Sequence, residues 1–195
     1  MSIELRQQEL DQIAEHGVQD YPNECCGALL GKEQGGRKII TAILPLRNAR
    51  LADAGAPGEQ AGLSVLLKQA YQLFMRIHPK DDLIRDWMHR ADEVIHSART
   101  RFKIMPEEFL RADDEAVRLG VYVLGFYHSH PDHPAIPSEY DRQHLLCPWY
   151  NAYLILAVAK GAPRELTGWT VAEDQEHFAP DKIEIVADTK APAAP

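Results

Sequence analysis

Residues 121–141 read "VYVLGFYHSHPDHPAIPSEYD", an apolar run followed by three histidines, three prolines and three acids within fourteen positions. The β-branched and aromatic residues of the run favour a strand, and the Pro, Asp and Ser positions behind it favour a stiff polar turn. His128 and His130 stand at i and i+2 at the strand end, so both imidazoles point to one face with Cα atoms roughly 7 Å apart. From there both can reach one ion at about 2.0–2.1 Å. Beyond the turn, Pro137 leads into Ser138 and Asp141, the S-x-x-D spacing of a capping box on a short helix. A proline-stiffened loop can fold the first turn of that helix over the strand end and bring Asp141 to the histidines. Two imidazoles and one carboxylate suit zinc. Three protein ligands leave a fourth position for water, which marks a catalytic rather than a structural site. His133 is a rival ligand, but in a loop between prolines a solvated or outer role suits it better.

Around this stretch the pattern mixes strands and helices. Residues 3–20 place Ile3, Leu5, Leu10, Ile13, Ala14 and Val18 near helical spacing, and "YPN" stops the helix. "ECCGALLG" (24–31) and "RKIITAILPL" (37–46) read as strands joined by a Gly-Gly turn. "LADAGAPGEQAG" (51–62) is small and linker-like. Two periodic apolar stripes over 63–77 and 83–95 form a helical hairpin. "TRFKIM" reads as a strand, Pro106 opens a helix to about 119, and "AYLILAVA" is a buried strand. "LTGWTV" and "DKIEIV" are edge-strand candidates. The expectation is an α/β fold: a mixed central sheet flanked by helices, one domain over 1–195, with a helical-hairpin insertion at 51–96 and a frayed tail at 189–195.

Bulk properties narrow the function. A net charge of −8 and an ordinary apolar share argue against a nucleic-acid or anionic-membrane binder, which needs a basic face. No apolar run has the length of a membrane span, and the N-terminal stretch lacks a secretory h-region. Three cysteines, an odd number with no C-x-x-C pair, suit reduced thiols in the cytoplasm.

Hydrolysis at zinc needs a general base, and the helical H-E-x-x-H arrangement is absent. Spacing alone leaves Glu24, Glu107, Glu108, Asp132 and Glu139 open. Glu24, at the mouth of a buried strand, is as readily an exposed turn residue as a rigidly held base.

Taken together, Glu24, "HSH" at 128–130, Ser138 and Asp141 reproduce E-xₙ-H-[ST]-H-x₇-S-x-x-D. This resembles the signature of the JAMM (MPN+, Mov34/PAD-1 type) zinc metalloproteases, in their compact bacterial branch. The resemblance covers about 1–50 and 97–175. It implies that His128, His130 and Asp141 bind one zinc ion with water as fourth ligand, that Glu24 holds and deprotonates that water, and that Ser138 stabilises the oxyanion. It further implies cleavage after the carboxy-terminal glycines of a ubiquitin-like protein, such as a sulfur carrier. Residues 51–96 have no counterpart in compact members; the hairpin could clamp substrate, mediate a homodimer or partner contact, act as a regulatory lid, or pack on the body. Two other classes remain. A non-catalytic MPN scaffold binding a ubiquitin-like partner would typically have lost ligands, and here every motif position is filled. A zinc deaminase would need H-x-E with P-C-x-x-C, and the sequence has neither.

Overall fold

The computed structural model describes residues 2–51, 99–145 and 149–187. Strand β1 (Ser2–Arg6) leads directly into helix α1 (Gln7–Asp20), followed by β2 (Cys26–Gln34), β3 (Arg37–Leu46) and a 3-10 turn at Ala49–Leu51. After the undescribed stretch come α2 (Pro106–Leu119), β4 (Tyr122–Pro131), α3 (Glu139–Leu145), β5 (Ala152–Ala159), β6 (Ala162–Val171) and β7 (Phe178–Val186). The expected hairpin at 51–96 lies outside the described residues, apart from Leu51 in the 3-10 turn. The expected tail at 189–195 lies wholly outside them.

The strands run in the order β1-β3-β2-β4-β5-β6-β7, and β7 returns to pair with β1, so the sheet curls onto itself. It is mixed: β2 pairs antiparallel with β3 and β4, while β4 pairs parallel with β5, and β1 lies parallel to both β3 and β7. The α/β expectation of a mixed sheet with helices packed on it is what the chain forms. Side chains alternate across β4. Tyr127 joins Ile3, Leu5, Ile13, Leu29 and Leu154 in one apolar cluster, which α1 helps to close through Ile13. Phe126 points the other way, into a cluster with Ala28, Leu30, Phe102, Ala112 and Ala116, which α2 covers. His128 and His130 share the parity of Phe126, so they extend the face on the α2 side.

The edge-strand candidates lie in β6 and β7, which closure of the sheet leaves paired on both sides, so they are not edges. Two further local expectations are corrected. Residues 3–6 are strand rather than helix: Ile3 and Leu5 are fully buried in strict alternation, and β1 is held by strands on both sides. The helical stripe survives from Leu10 on, with Ile13 buried. Residues 101–105 of "TRFKIM" are not in a strand. They run beside residues 48–50, joined by Ala49 N–H donating to Lys103 O at 2.9 Å and by bonds from the Asn48 side chain. The reading of 106–119 as a helix matches the structure. Its end is set by Gly120, whose φ of +66° provides the left-handed turn that lets Val121 N–H bond back to Ala116 O at 2.9 Å.

Candidate metal centre

β4 and the start of α3 bring the three sequence-predicted ligands together. His128, His130 and Asp141 are all buried, and each offers a ligand atom within 4.8 Å of the other two. The two Nε2 atoms are 3.1 Å apart, His128 Nε2 is 3.4 Å from Asp141 Oδ1, and His130 Nε2 is 3.5 Å from Asp141 Oδ2. His130 Nδ1 lies 2.8 Å from Pro134 O, which can only accept, so the ring hydrogen sits there and Nε2 turns its lone pair inward. A single proton can satisfy one of the three contacts, whereas one cation among them satisfies all three. Ligand atoms at 2.0–2.1 Å from an ion in tetrahedral array stand about 3.3–3.4 Å from one another. The observed 3.1–3.5 Å separations fit that spacing.

Electrostatics favour the binding-competent protonation states. Burial pushes the His128 pKa below its usual value, against the pull of Asp141, and so keeps the imidazole neutral. For Asp141 burial works toward protonation, but a charged imidazolium at His128 and hydrogen bonds from the rings pull the carboxyl well below the usual range, so a proton entering the cluster goes to a ring and not to Asp141. Asp141 also accepts from Ser138 N–H at 2.6 Å, and Asp141 N–H donates to Ser138 Oγ at 3.2 Å. This is a reciprocal capping box, so Ser138 and Asp141 are tied to each other by the start of the helix. Because the Ser138 oxygen is accepting there, its own hydrogen is left to donate elsewhere.

Of the five acids that spacing left open, Glu24 alone is buried, at 6% exposure. Burial first, then the negative charge of Asp141, push its carboxyl well above the usual range, while Arg101 and Arg50 pull it back. The others are engaged elsewhere or exposed. Glu108 bonds Arg111 and Arg47 N–H, Asp132 accepts from Tyr21 and Lys160 N–H, Glu139 pairs with Arg142, and Glu107 faces solvent. His133 is exposed and stands outside the cluster. His144 is exposed too, stacked on Tyr140, and Trp149 is 87% exposed. Tyr150 packs edge-on against Phe126. Cys25 and Cys26 are fully buried; desolvation pushes the Cys25 thiol up to about 12 and raises that of Cys26 as well, so neither is a reactive thiolate. Cys147 lies outside the described residues.

Three neighbours of the site escaped the sequence reading. Ser129, between the histidines, is fully buried on the opposite face; its Oγ accepts from Cys25 N–H at 2.9 Å and its N–H donates to Cys25 O at 3.1 Å. That pair anchors the residue after Glu24 to the strand carrying the ligands. Phe102 packs its ring 4.9 Å from the His128 ring. Asn48 donates to Glu24 O at 2.9 Å. The sequence marks Ser129 only by its place in H-S-H, and the other two by nothing local.

Comparison with known proteins shows the family. Residues 6–172 match the family model of prokaryotic homologs of the JAB domain, and the chain belongs to that family. The resemblance to a JAMM/MPN domain is borne out at that level. A solution structure of a protein from Salinibacter ruber is 29% identical, with a TM-score of 0.57 over 98% of this chain and 95% of that one. Another, from Desulfitobacterium hafniense, is 21% identical with a TM-score of 0.63 over 95% and 94%, and shares the fold. The Desampylase of Haloferax volcanii is 34% identical over 67 residues, 34% of this chain and 48% of the relative. The chain thus spans about half the length of that curated relative.

Proposed function

We propose that this chain is a zinc-dependent hydrolase that cuts the peptide or isopeptide bond after the carboxy-terminal Gly-Gly of a ubiquitin-like protein. The observation that carries the reading is the buried convergence of His128, His130 and Asp141, with Glu24 a buried acid that feels the charge of Asp141. Family membership supports it, and so does the partial likeness to a Desampylase.

His128, His130 and Asp141 would hold the ion. When bound, zinc supplies a Lewis acid that polarises the scissile carbonyl and acidifies a water. Glu24 takes the proton of the attacking water on its carboxylate and delivers it to the leaving amine. A carboxyl whose affinity for protons is raised by burial is suited to both halves of that transfer. Ser138 Oγ–H donates to the oxyanion that forms as the carbonyl carbon becomes tetrahedral. Pro134 O, through His130 Nδ1–H, fixes the ring so that its lone pair stays turned inward. In this reading the chain is one domain, with 51–96 inserted between the strand that follows Glu24 and the strand that carries the histidines. The insertion would then pack on the body, contact a partner or a second copy, clamp the substrate or act as a regulatory lid.

The test is a panel of ubiquitin-like proteins, each extended beyond its terminal Gly-Gly, incubated with zinc-loaded protein and read by intact mass. Mass loss after the glycines is expected, reduced about 10²–10⁴-fold in Glu24→Gln with zinc still bound. Undiminished cleavage by Glu24→Gln would remove Glu24 as the base. Failure of the parent to cleave any member would remove the substrate class.

A further inference from the structure

Glu24 precedes β2 and takes no part in its ladder, so something other than strand pairing must fix it. The peptide group joining Glu24 to Cys25 is held at both ends by side chains. Its N–H donates to Ser129 Oγ, and its carbonyl accepts from Asn48 Nδ2. Asn48 is fully buried, and all four hydrogen-bonding positions of its amide are filled. Nδ2 donates to Glu24 O at 2.9 Å and Arg101 O at 3.3 Å, while Oδ1 accepts from Arg50 N–H at 3.0 Å and Lys103 N–H at 3.1 Å. Two carbonyls on one side and two N–H groups on the other leave the amide a single orientation.

What hangs on this amide is the surround of the metal centre. Arg101 and Lys103 flank Phe102, whose ring lies against His128. The Arg101 guanidinium sits 4.3 Å over the ring of Tyr140, the residue before Asp141. Arg101 and Arg50 are cations that offset the buried charge of Glu24.

We propose that Asn48 is a positioning residue: through one amide it sets the backbone of Glu24 and the ring of Phe102 about the metal centre. The proposal rests on the reading of Glu24 as the base. Asn48→Asp is nearly isosteric and keeps both acceptor bonds, but it turns a carboxylate oxygen toward the carbonyls of Glu24 and Arg101 and drives them away.

On a substrate the parent cleaves, Asn48→Asp lowers kcat about tenfold or more and leaves KM within about twofold. In a Glu24→Gln background the same change costs markedly less kcat than in the parent, because the base it misplaces is already silent. Equal losses in both backgrounds, or a loss confined to KM, overturn the proposal. A second readout does not need turnover: visible absorption of the cobalt(II)-loaded protein. Asn48→Asp keeps one equivalent of cobalt but changes the band envelope; a spectrum unchanged from the parent's overturns the proposal, even if no substrate is ever cut. Where Asn48→Asp does not fold, Asn48→Ala removes the four bonds without adding charge. If neither folds, Asn48 is a structural residue and the proposal fails.

Discussion

At Ser138 the hydroxyl oxygen accepts from Asp141 N–H, so a substrate oxyanion would meet only the remaining hydrogen. Ser138→Ala removes both, and the two effects separate on different instruments. Loss of the cap lowers unfolding free energy by about 0.5–2 kcal/mol, read in urea at fixed zinc. Loss of the donor lowers kcat of the protein that remains folded by about 10²–10³-fold. A drop in stability with kcat unchanged would make Ser138 a cap and nothing more. The convergence of His128, His130 and Asp141 was legible in the sequence because its rules are local: i and i+2 on a strand share a face, and S-x-x-D opens a helix. Glu24 was legible only through the resemblance, since its partner Asp141 is far away in the chain. Asn48 and Phe102 were invisible, because an amide bonding residues 24 and 101 leaves no mark on its own neighbours.

Among elements, β4 carries the most. It places both histidines, pairs with β2 on one side and β5 on the other, and separates the two apolar clusters. The close pairing with β5 depends on Gly125, where an added Cβ would lie 1.7 Å from Ala152 O. Backbone cannot swing aside as a side-chain tip can. Gly125→Ala is therefore expected to cost at least about 2 kcal/mol in a urea titration. A cost below about 0.5 kcal/mol would show that β4 and β5 separate more easily than their register suggests. The β2–β3 hairpin was legible in outline, because two apolar runs meet at Gly35 and Gly36, both with positive φ, although the first strand begins at Cys26 rather than Glu24 and runs on to Gln34. β1 was not, because Ile3 and Leu5 satisfy a helical stripe as well as a strand alternation, and only their neighbours in space decide. Residues 101–105 failed for the opposite reason: their composition favours a strand, but a side-chain amide takes bonds that a ladder would have used.

Across the whole molecule, closure of the sheet joins the first strand to the last, a pairing over nearly the full length that no local pattern announces. Lys38 shows what that closure encloses. Its ammonium, with 1% side-chain exposure, pairs with Asp181 on β7 at 2.8 Å and also donates to Asn151 O, just before β5. Lys38→Met strands the Asp181 carboxylate in the interior and should cost about 3–5 kcal/mol. Lys38→Met with Asp181→Leu should recover most of that, since no unpaired charge remains. Equal destabilisation in single and double variants would mean the pair contributes by shape and not by charge. None of these variants touches the metal centre, so each should retain zinc while folded.

The decisive observation is zinc content after exhaustive dialysis, measured by elemental analysis on the parent, Asp141→Ala and Glu24→Gln. The geometry of His128, His130 and Asp141 predicts about one equivalent in the parent and in Glu24→Gln, and almost none in Asp141→Ala. A parent without metal, or an Asp141→Ala protein that holds zinc as well as the parent does, would contradict it.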